Sequence, residues 1–178
     1  MTDLHFVPVD QAGRARFIGG VQTAFALAVR DEFAGFDGEV ISAREIEESL
    51  DSPRAEAFFI QTGGSVVGGV CVQIDGKSGR NSLDLLYIVP AHHGQGLGLA
   101  VWLALQARYP ETEIWETHTP YFEKRNIHFY VNKCGFQIVE FFNPKHPDPH
   151  AAGSSAPGGE YFFRFEKRMK GGASDAQK

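Results

Sequence analysis

The sequence predicts an α/β (α+β) protein in which about seven strands are flanked by helices. The pattern of apolar residues alternates along the chain. Some segments have the continuous or alternating apolar runs typical of strands, and others have the three-to-four-residue spacing typical of helices. Their order is strand, two helices, three strands, helix, strand, helix and two strands. A second observation is a nearly continuous apolar strand at residues 83–89, which leads through three alternate glycines into a helical pattern at 97–107. The other elements are organised around this stretch.

The N-terminal elements are defined by apolar spacing and by helix signals. Residues 4–9 alternate weakly as a first strand, and apolar residues recur at helical spacing over 11–33. Ser42 and Glu45 form the S-x-x-E pattern of a capping box, so a second helix begins there. Ser52-Pro53 ends this helix.

Turn residues delimit the strands that precede the glycines. Strands at 57–61 and 66–74 are joined by 62–64, and the turn at 75–79 leads into the strand at 83–89. The triplet Gly76-Lys77-Ser78 resembles the end of a P-loop. Cys71 stands where that motif requires its first glycine, and no helix pattern follows, so we interpret the triplet as a turn.

The C-terminal part continues with a strand at 113–119 stopped by Pro120, a helix at about 122–133, and strands at 136–142 and 160–169. Gly135 is placed to cap the helix. The segment 143–159 is rich in proline, glycine and serine and is predicted to be a loop. We therefore predict a single domain at 1–170 and a disordered tail at 171–178.

The composition is that of an ordinary globular protein. The chain has 178 residues, of which 43% are apolar and 22% charged. A net charge of −5 argues against a nucleic-acid partner. No apolar run reaches the ~18 residues of a membrane span, and the N-terminus lacks signal-peptide features, so we expect a cytoplasmic protein with no membrane partner. Cys71 and Cys134 lie in apolar segments and are expected to be reduced and buried.

The glycine-rich stretch H-G-Q-G-L-G at residues 93–98 has the outline of an anion-binding site. The first N–H groups of a helix lack intrahelical partners, and glycines let a ligand approach the main chain. A dinucleotide-binding motif would need glycine where Leu99 stands, and a P-loop would need lysine and a hydroxyl residue. A nucleotide-phosphate binder is therefore disfavoured.

The stretch resembles the [R/Q]-x-x-G-x-[G/A] loop of the GNAT superfamily of acyl-CoA-dependent N-acyltransferases. His93 stands where that family usually has arginine or glutamine. A second signature, F-Y-V-N-K-C-G-F at 129–136, resembles the family's aromatic helix that runs into Gly-Phe. The element order matches from about residue 3 to 169. The resemblance therefore implies the GNAT fold, with a central mixed, mostly antiparallel sheet.

The resemblance also implies acetyl-CoA as cosubstrate. In this family the pantetheine arm bonds to the strand before the glycine loop, and the pyrophosphate rests on the N–H groups of that loop. A backbone N–H of the same strand would stabilise the oxyanion. The implied cofactor-binding residues are Leu86, Ile88, His93, Gly94, Gln95, Gly96, Leu97, Gly98, Leu99 and Asn126.

Two catalytic residues follow from the same resemblance. Tyr130 would protonate the leaving thiolate, although the family usually has this tyrosine four residues before the glycine of Gly-Phe. Here the separation is five, with Val131 at the usual place, and a local helix bulge would absorb the extra residue. Glu116 is the predicted general base, with Asp84, His118 or a water chain as alternatives.

We thus expect an enzyme that moves the acetyl group of acetyl-CoA directly to an amine in a ternary complex. The alternative is a non-catalytic acyl-CoA-binding module, which the displaced Tyr130 favours. No histidine spacing matches a zinc site, His92, His146 and His150 included, and the chemistry needs no metal.

The expected acceptor is a small-molecule amine rather than a protein. Asp31, Glu32, Asp37 and Glu39 make the loop between the first two helices acidic. We therefore expect cationic small amines, polyamine-like or aminoglycoside-like, to be preferred over acidic amino acids. A homodimer is possible.

Overall fold

The structure is a computed structural model that describes residues 3–150 and 159–170. The predicted tail and residues 151–158 of the predicted loop lie outside the described residues. The strands are β1 (His5–Pro8), β2 (Ala55–Thr62), β3 (Ser65–Gln73), β4 (Arg80–Ile88), β5 (Ile114–Pro120), β6 (Gln137–Phe142) and β7 (Phe162–Arg168). The helices are α1 (Arg14–Glu32), α2 (Ala43–Asp51), α3 (Leu97–Arg108) and α4 (Lys124–His128). The predicted order of elements is confirmed.

The seven strands form one mixed sheet in the order β1-β2-β3-β4-β5-β7-β6. All neighbouring pairs are antiparallel except β4 and β5, which run parallel. This confirms the predicted mixed, mostly antiparallel sheet. The parallel pairing extends only from Arg80–Ile114 to Ser82–Glu116, after which the two strands separate.

A β-bulge lies in β4 near the point of separation. Cys71 of β3 pairs with Leu85, but the next residue, Val72, pairs with Leu83, which leaves Asp84 as the extra residue. A bulge of this kind changes the direction of the side chains that follow it. At the same point the Thr117 hydroxyl donates a hydrogen bond to the Leu83 carbonyl at 2.8 Å. This bond links β5 to β4 where their main-chain pairing ends.

The sheet separates two buried apolar clusters. Phe58 and Ile60 belong to one cluster and Phe59 to the other, because alternate residues of a strand face opposite sides. The first cluster contains α3 and the two tryptophans, Trp102 and Trp115, which pack edge to face with ring centroids 5.5 Å apart. The second cluster lies under α1 and α2 and includes Phe17, Val21 and Ile46.

Local sequence signals are reproduced closely. The Ser42 hydroxyl accepts from the Glu45 N–H at 3.1 Å, and the Glu45 carboxylate accepts from the Ser42 N–H at 2.8 Å, which confirms the capping box. Cys71 and Cys134 are both free and buried, as predicted. None of the described helices is long and apolar enough to cross a membrane.

The helix predicted at about 122–133 begins at Lys124 and ends in a local bulge of the kind that the position of Tyr130 required. It consists of α4 followed by a π-helical turn, Phe129–Lys133. The Cys134 N–H bonds to the Phe129 carbonyl at 2.9 Å, five residues earlier. Gly135 then ends the helix with a φ of +80°, as the cap prediction required.

Candidate active site

A cavity of about 430 Å³ lies beside the part of β4 that no longer pairs with β5. We call it the β4 cavity. Its walls come from α1, β4, the glycine loop with the start of α3, and α4 with the π-helical turn. Of the residues predicted from the sequence, the walls include Leu86, Ile88, His93, Gly94, Gly96, Leu97, Gly98, Leu99, Asn126 and Tyr130. Gln95 and Glu116 are not among them.

The glycine loop leads into α3 with an open helix N-terminus. Gly94 and Gly96 have φ values of +75° and +73°, which favour glycine because a Cβ is strained there. Gly96 is the N-cap of α3, and no side chain caps the helix. The first N–H groups of α3 therefore have neither intrahelical nor side-chain partners and can bind an anion. Lys133, which sequence reasoning missed, lines the same cavity and adds a cation.

The free edge of β4 presents main-chain groups to the cavity. The Val89 N–H bonds to the Val67 carbonyl at 2.9 Å, so the main chain of Val89 faces β3. By alternation, Leu86 and Ile88 direct their N–H and C=O groups away from β3. The ring of His93 donates from Nε2 to the Ile88 carbonyl at 2.7 Å, which ties the glycine loop to the end of β4.

Tyr130 lines the cavity from the π-helical turn and is only 7% exposed. Its ring packs against Phe136 and Phe165, with centroids 5.6 and 5.8 Å away. Burial raises the pKa of the Tyr130 hydroxyl, and a hydrogen bond with Thr117 acts in the opposite direction. The hydroxyl therefore keeps its proton at neutral pH and can act as a donor.

Glu116 lies away from the β4 cavity, in an ion-pair network on the sheet surface. Its carboxylate contacts Arg80 at 3.3 Å and Arg164 at 3.1 Å. The same two guanidinium groups contact Glu166 at 2.5 and 2.7 Å. The structure thus brings Glu116 to two arginines and not to Tyr130 or the glycine loop. One of these partners, Arg164, lies 48 residues later in the chain, so local sequence gives no sign of the pairing.

The alternative bases also lie outside the cavity lining. The Asp84 carboxylate accepts hydrogen bonds from Gln73 at 2.8 Å and from Ser82 at 2.6 Å. The His118 ring stacks on Phe142 with centroids 6.1 Å apart.

Glu123 is the carboxylate that does line the cavity, and sequence reasoning missed it. It precedes α4 and is 9% exposed. Burial raises the pKa of the Glu123 carboxyl to about 7, with a smaller lowering by Arg125 and a further raising by Asp31. The local sequence F-E-K-R-N is typical of a solvated surface, so the burial of Glu123 is visible only in the folded structure.

The end of α1 is joined to α4 by charged and aromatic contacts. Lys124 pairs with Glu32 at 3.2 Å, and Arg125 approaches Asp31 at 3.9 Å. The rings of Phe33 and Phe122 meet edge to face at 5.1 Å. Two of the four carboxylates of the predicted acidic loop therefore have cationic partners, which weakens its attraction for cations. The α1 residues that line the cavity are apolar: Ala24, Phe25, Leu27 and Ala28.

Within the described ranges, no group of three histidine, cysteine or acidic side chains could hold a metal ion. His146 instead bonds to Glu140 at 2.7 Å and stacks on Phe142.

Comparison with known proteins agrees with this arrangement. The sequence profile of the Acetyltransferase (GNAT) family matches residues 25–136. The uncharacterized protein YrkN of Bacillus subtilis (strain 168) is 47% identical over 157 residues, which cover 84% of this chain and 85% of YrkN.

Crystal structures with a similar fold include two acetyltransferases. An acetyltransferase from Thermus thermophilus superposes with a TM-score of 0.66 at 18% identity, covering 95% of this chain and all of that one. A Bacillus subtilis acetyltransferase in complex with CoA gives 0.65 at 13% identity, covering 95% and 99% of the two chains. On its sequence match and its fold, the chain belongs to the GNAT acetyltransferase family.

Proposed function

We propose that the protein is an N-acetyltransferase that uses acetyl-CoA and transfers the acetyl group directly to a small amine. One observation carries this proposal: a single cavity is lined by the uncapped start of α3, the free edge of β4 and the buried residue Tyr130. These are the three features that an acyl-CoA and its transfer chemistry require.

Acetyl-CoA would be held mainly by the main chain. The pyrophosphate would bind the N–H groups at Gly96–Leu99, where the helix dipole and Lys133 favour negative charge. The pantetheine amides would pair with the outward-facing main chain of Leu86 and Ile88. The Asn126 amide, which lines the same cavity, offers a further hydrogen bond to this arm.

The transfer itself needs a donor for the oxyanion and a proton for the leaving group. A free N–H of β4 would stabilise the oxyanion that forms when the amine attacks the thioester carbonyl. When the C–S bond breaks, the thiolate takes a proton. Tyr130 supplies it, because the residue lines the cavity and its hydroxyl remains protonated at neutral pH.

The acceptor that fits best is a compact amine. The volume of about 430 Å³ must hold part of the pantetheine arm as well as the acceptor. The ion pairs of Asp31 and Glu32 with α4 also reduce the electrostatic reason to expect a polycation. We therefore propose a small-molecule acceptor in preference to a protein.

One observation favours the alternative of a non-catalytic acyl-CoA-binding module: Glu116, Asp84 and His118 all lie outside the cavity lining. An assay that detects free thiol, with acetyl-CoA and a panel of amines, separates the two functions. We expect amine-dependent thiol release that is saturable in both substrates. Tight CoA binding by calorimetry without amine-dependent release would identify the binding module. Absence of CoA binding would overturn both.

A further inference from the structure

We propose that Glu123 is the acceptor-binding catalytic base, with its carboxylate receiving the ammonium of a primary amine whose apolar part packs against α1. The proposal rests on the proposed function and names the residue and the acceptor class for that reaction.

The first argument is that Glu123 is buried without a partner. It is 9% exposed and lines the β4 cavity. Among residues 3–150 and 159–170, no side chain forms a hydrogen bond or ion pair with its carboxylate. A buried carboxylate that lacks a partner is costly, whereas a cationic ligand would offset that cost.

The second argument is that neither neighbouring cation pairs with Glu123, although Arg125 also lines the cavity. Lys124 and Arg125 follow Glu123 directly, yet their charged groups contact Glu32 and Asp31 at the end of α1. A glutamate that served only to neutralise these side chains would itself contact them. Here α1 supplies the partners, and the carboxylate of Glu123 is left to the cavity.

The third argument is electrostatic and concerns the groups that face Glu123. They are Asp31 from α1, Arg125 from α4 and Tyr130 from the π-helical turn. Burial and Asp31 favour the protonated carboxyl more than Arg125 favours the ionised one, which raises the pKa to about 7. A base with that pKa is partly ionised at neutral pH and accepts a proton readily.

The wall contributed by α1 defines the acceptor class. Phe25 and Leu27 are apolar, and Ala24 and Ala28 are small, so the wall suits an apolar substituent. Glu123 offers one unpaired carboxylate to the cavity, which can pair with one ammonium group. The geometry therefore favours a compact apolar monoamine over a polyamine.

The proton balance closes without a further reactant. Glu123 takes one proton from the ammonium, and the neutral nitrogen forms the N–C bond with the thioester carbonyl. The C–S bond breaks, its electron pair goes to sulfur, and Tyr130 protonates the thiolate. The nitrogen loses its second proton, which restores the Tyr130 hydroxyl, and the proton on Glu123 goes to solvent. The products are an amide, free coenzyme A and one proton.

The test compares the isosteric variant Glu123→Gln with the wild type across pH 5.5–9, using butylamine, phenethylamine and spermidine as acceptors. In the wild type, kcat/KM for the amine should rise with pH through about 7. In Glu123→Gln it should fall by about 100-fold or more at pH 8, with the rise through pH 7 lost and acetyl-CoA affinity unchanged. Glu123→Asp should retain the rise at reduced kcat, and the two monoamines should exceed spermidine in kcat/KM.

Two matched variants make the result specific. Glu111→Gln removes an exposed carboxylate outside the cavity and should leave the pH profile unchanged. Glu116→Gln breaks the contacts with Arg80 and Arg164 and should retain the rise through pH 7. Retention of that rise in Glu123→Gln would overturn the proposal, and its loss in Glu116→Gln would then assign the base to Glu116. A wild type that releases no thiol with any amine would overturn the proposed function itself, which is a distinguishable result.

Discussion

The N–H of Cys134 donates to the carbonyl of Phe129, five residues earlier, at 2.9 Å. In an α-helix it would bond to Tyr130 instead. The wider turn accommodates one additional residue between Tyr130 and Gly135, so that Tyr130 reaches the cavity lining and Gly135 still caps the helix. Single π-helical turns of this kind often occur at functional sites. The displacement of Tyr130 in the sequence is thus accommodated by the helix itself.

The first prediction concerns Tyr130→Phe. We expect kcat to fall by about 100-fold or more with little change in acetyl-CoA affinity, because the variant keeps the ring and loses only the proton donor. Steady-state kinetics together with CoA calorimetry would measure both quantities.

Tyr109→Phe is the matched control for this experiment. Tyr109 is also partly buried, and its hydroxyl donates to Glu56 at 2.6 Å outside the cavity. It should lose about 1 kcal/mol of stability with no change in kcat. Equal losses of kcat in the two variants would assign Tyr130 to packing alone.

The second prediction concerns the glycine loop. Gly96→Ala should weaken CoA binding by about tenfold or more, because a Cβ at a φ of +73° strains the loop and displaces its N–H groups. Gly64→Ala introduces the same strain at a φ of +79° in the turn between β2 and β3, and neither new Cβ meets another atom within 4 Å. Both variants should lose about 1 kcal/mol of stability, and only Gly96→Ala should lose CoA affinity by calorimetry.

The third prediction links Glu123 to stability. Its folded-state pKa of about 7 lies above the ordinary value of 4.5, so folding favours the protonated carboxyl. The associated stability is therefore present below pH 4.5 and is lost as the pH rises through 7. Glu123→Gln should be more stable than the wild type at pH 8.5, by up to about 3 kcal/mol, and equally stable near pH 4. Urea unfolding at the two pH values would measure this difference, and a variant less stable than the wild type at pH 8.5 would contradict the burial of an unpaired carboxylate.

The fourth prediction concerns acceptor charge. Lys124→Ala removes the cation that contacts Glu32, which leaves an additional carboxylate near the end of α1. The ratio of kcat/KM for spermidine to that for butylamine should rise about two- to fivefold, and the increase should diminish with added salt. Arg44→Ala, which breaks the exposed pair with Glu48 on α2, is the control and should leave the ratio unchanged.

Local signals predicted most of the fold. The capping box at Ser42, the glycine turns and the apolar strand at 83–89 each depend on residues that are close in sequence, and the structure confirms them. The glycine loop could also be predicted from residues that are close in sequence. A strand followed by glycines and a helix determines where the N–H groups of the first helical turn point.

The roles of the candidate catalytic carboxylates could not be predicted from local sequence. Glu116 and Glu123 are seven residues apart. The sequence favoured Glu116, on a predicted strand, as the general base over Glu123, which lies in a charged segment. The ionic partners of Glu116 come from β4 and β7, and Glu123 shares its cavity with residues of α1. Such long-range packing determines both environments, and a single sequence contains no direct signal for it.

The pairing of Trp102 with Trp115 determines what a spectroscopic experiment on this protein can detect. They are the only two tryptophans in the chain, both are at most 1% exposed, and both belong to the apolar cluster on the α3 side. Intrinsic fluorescence therefore reports on the half of the molecule that carries the glycine loop. Loosening of α1 and α2 would leave the emission largely unchanged, whereas far-ultraviolet circular dichroism would register it. Coincidence of the two unfolding curves would thus be a direct measurement of whether the layers on opposite faces of the sheet unfold together.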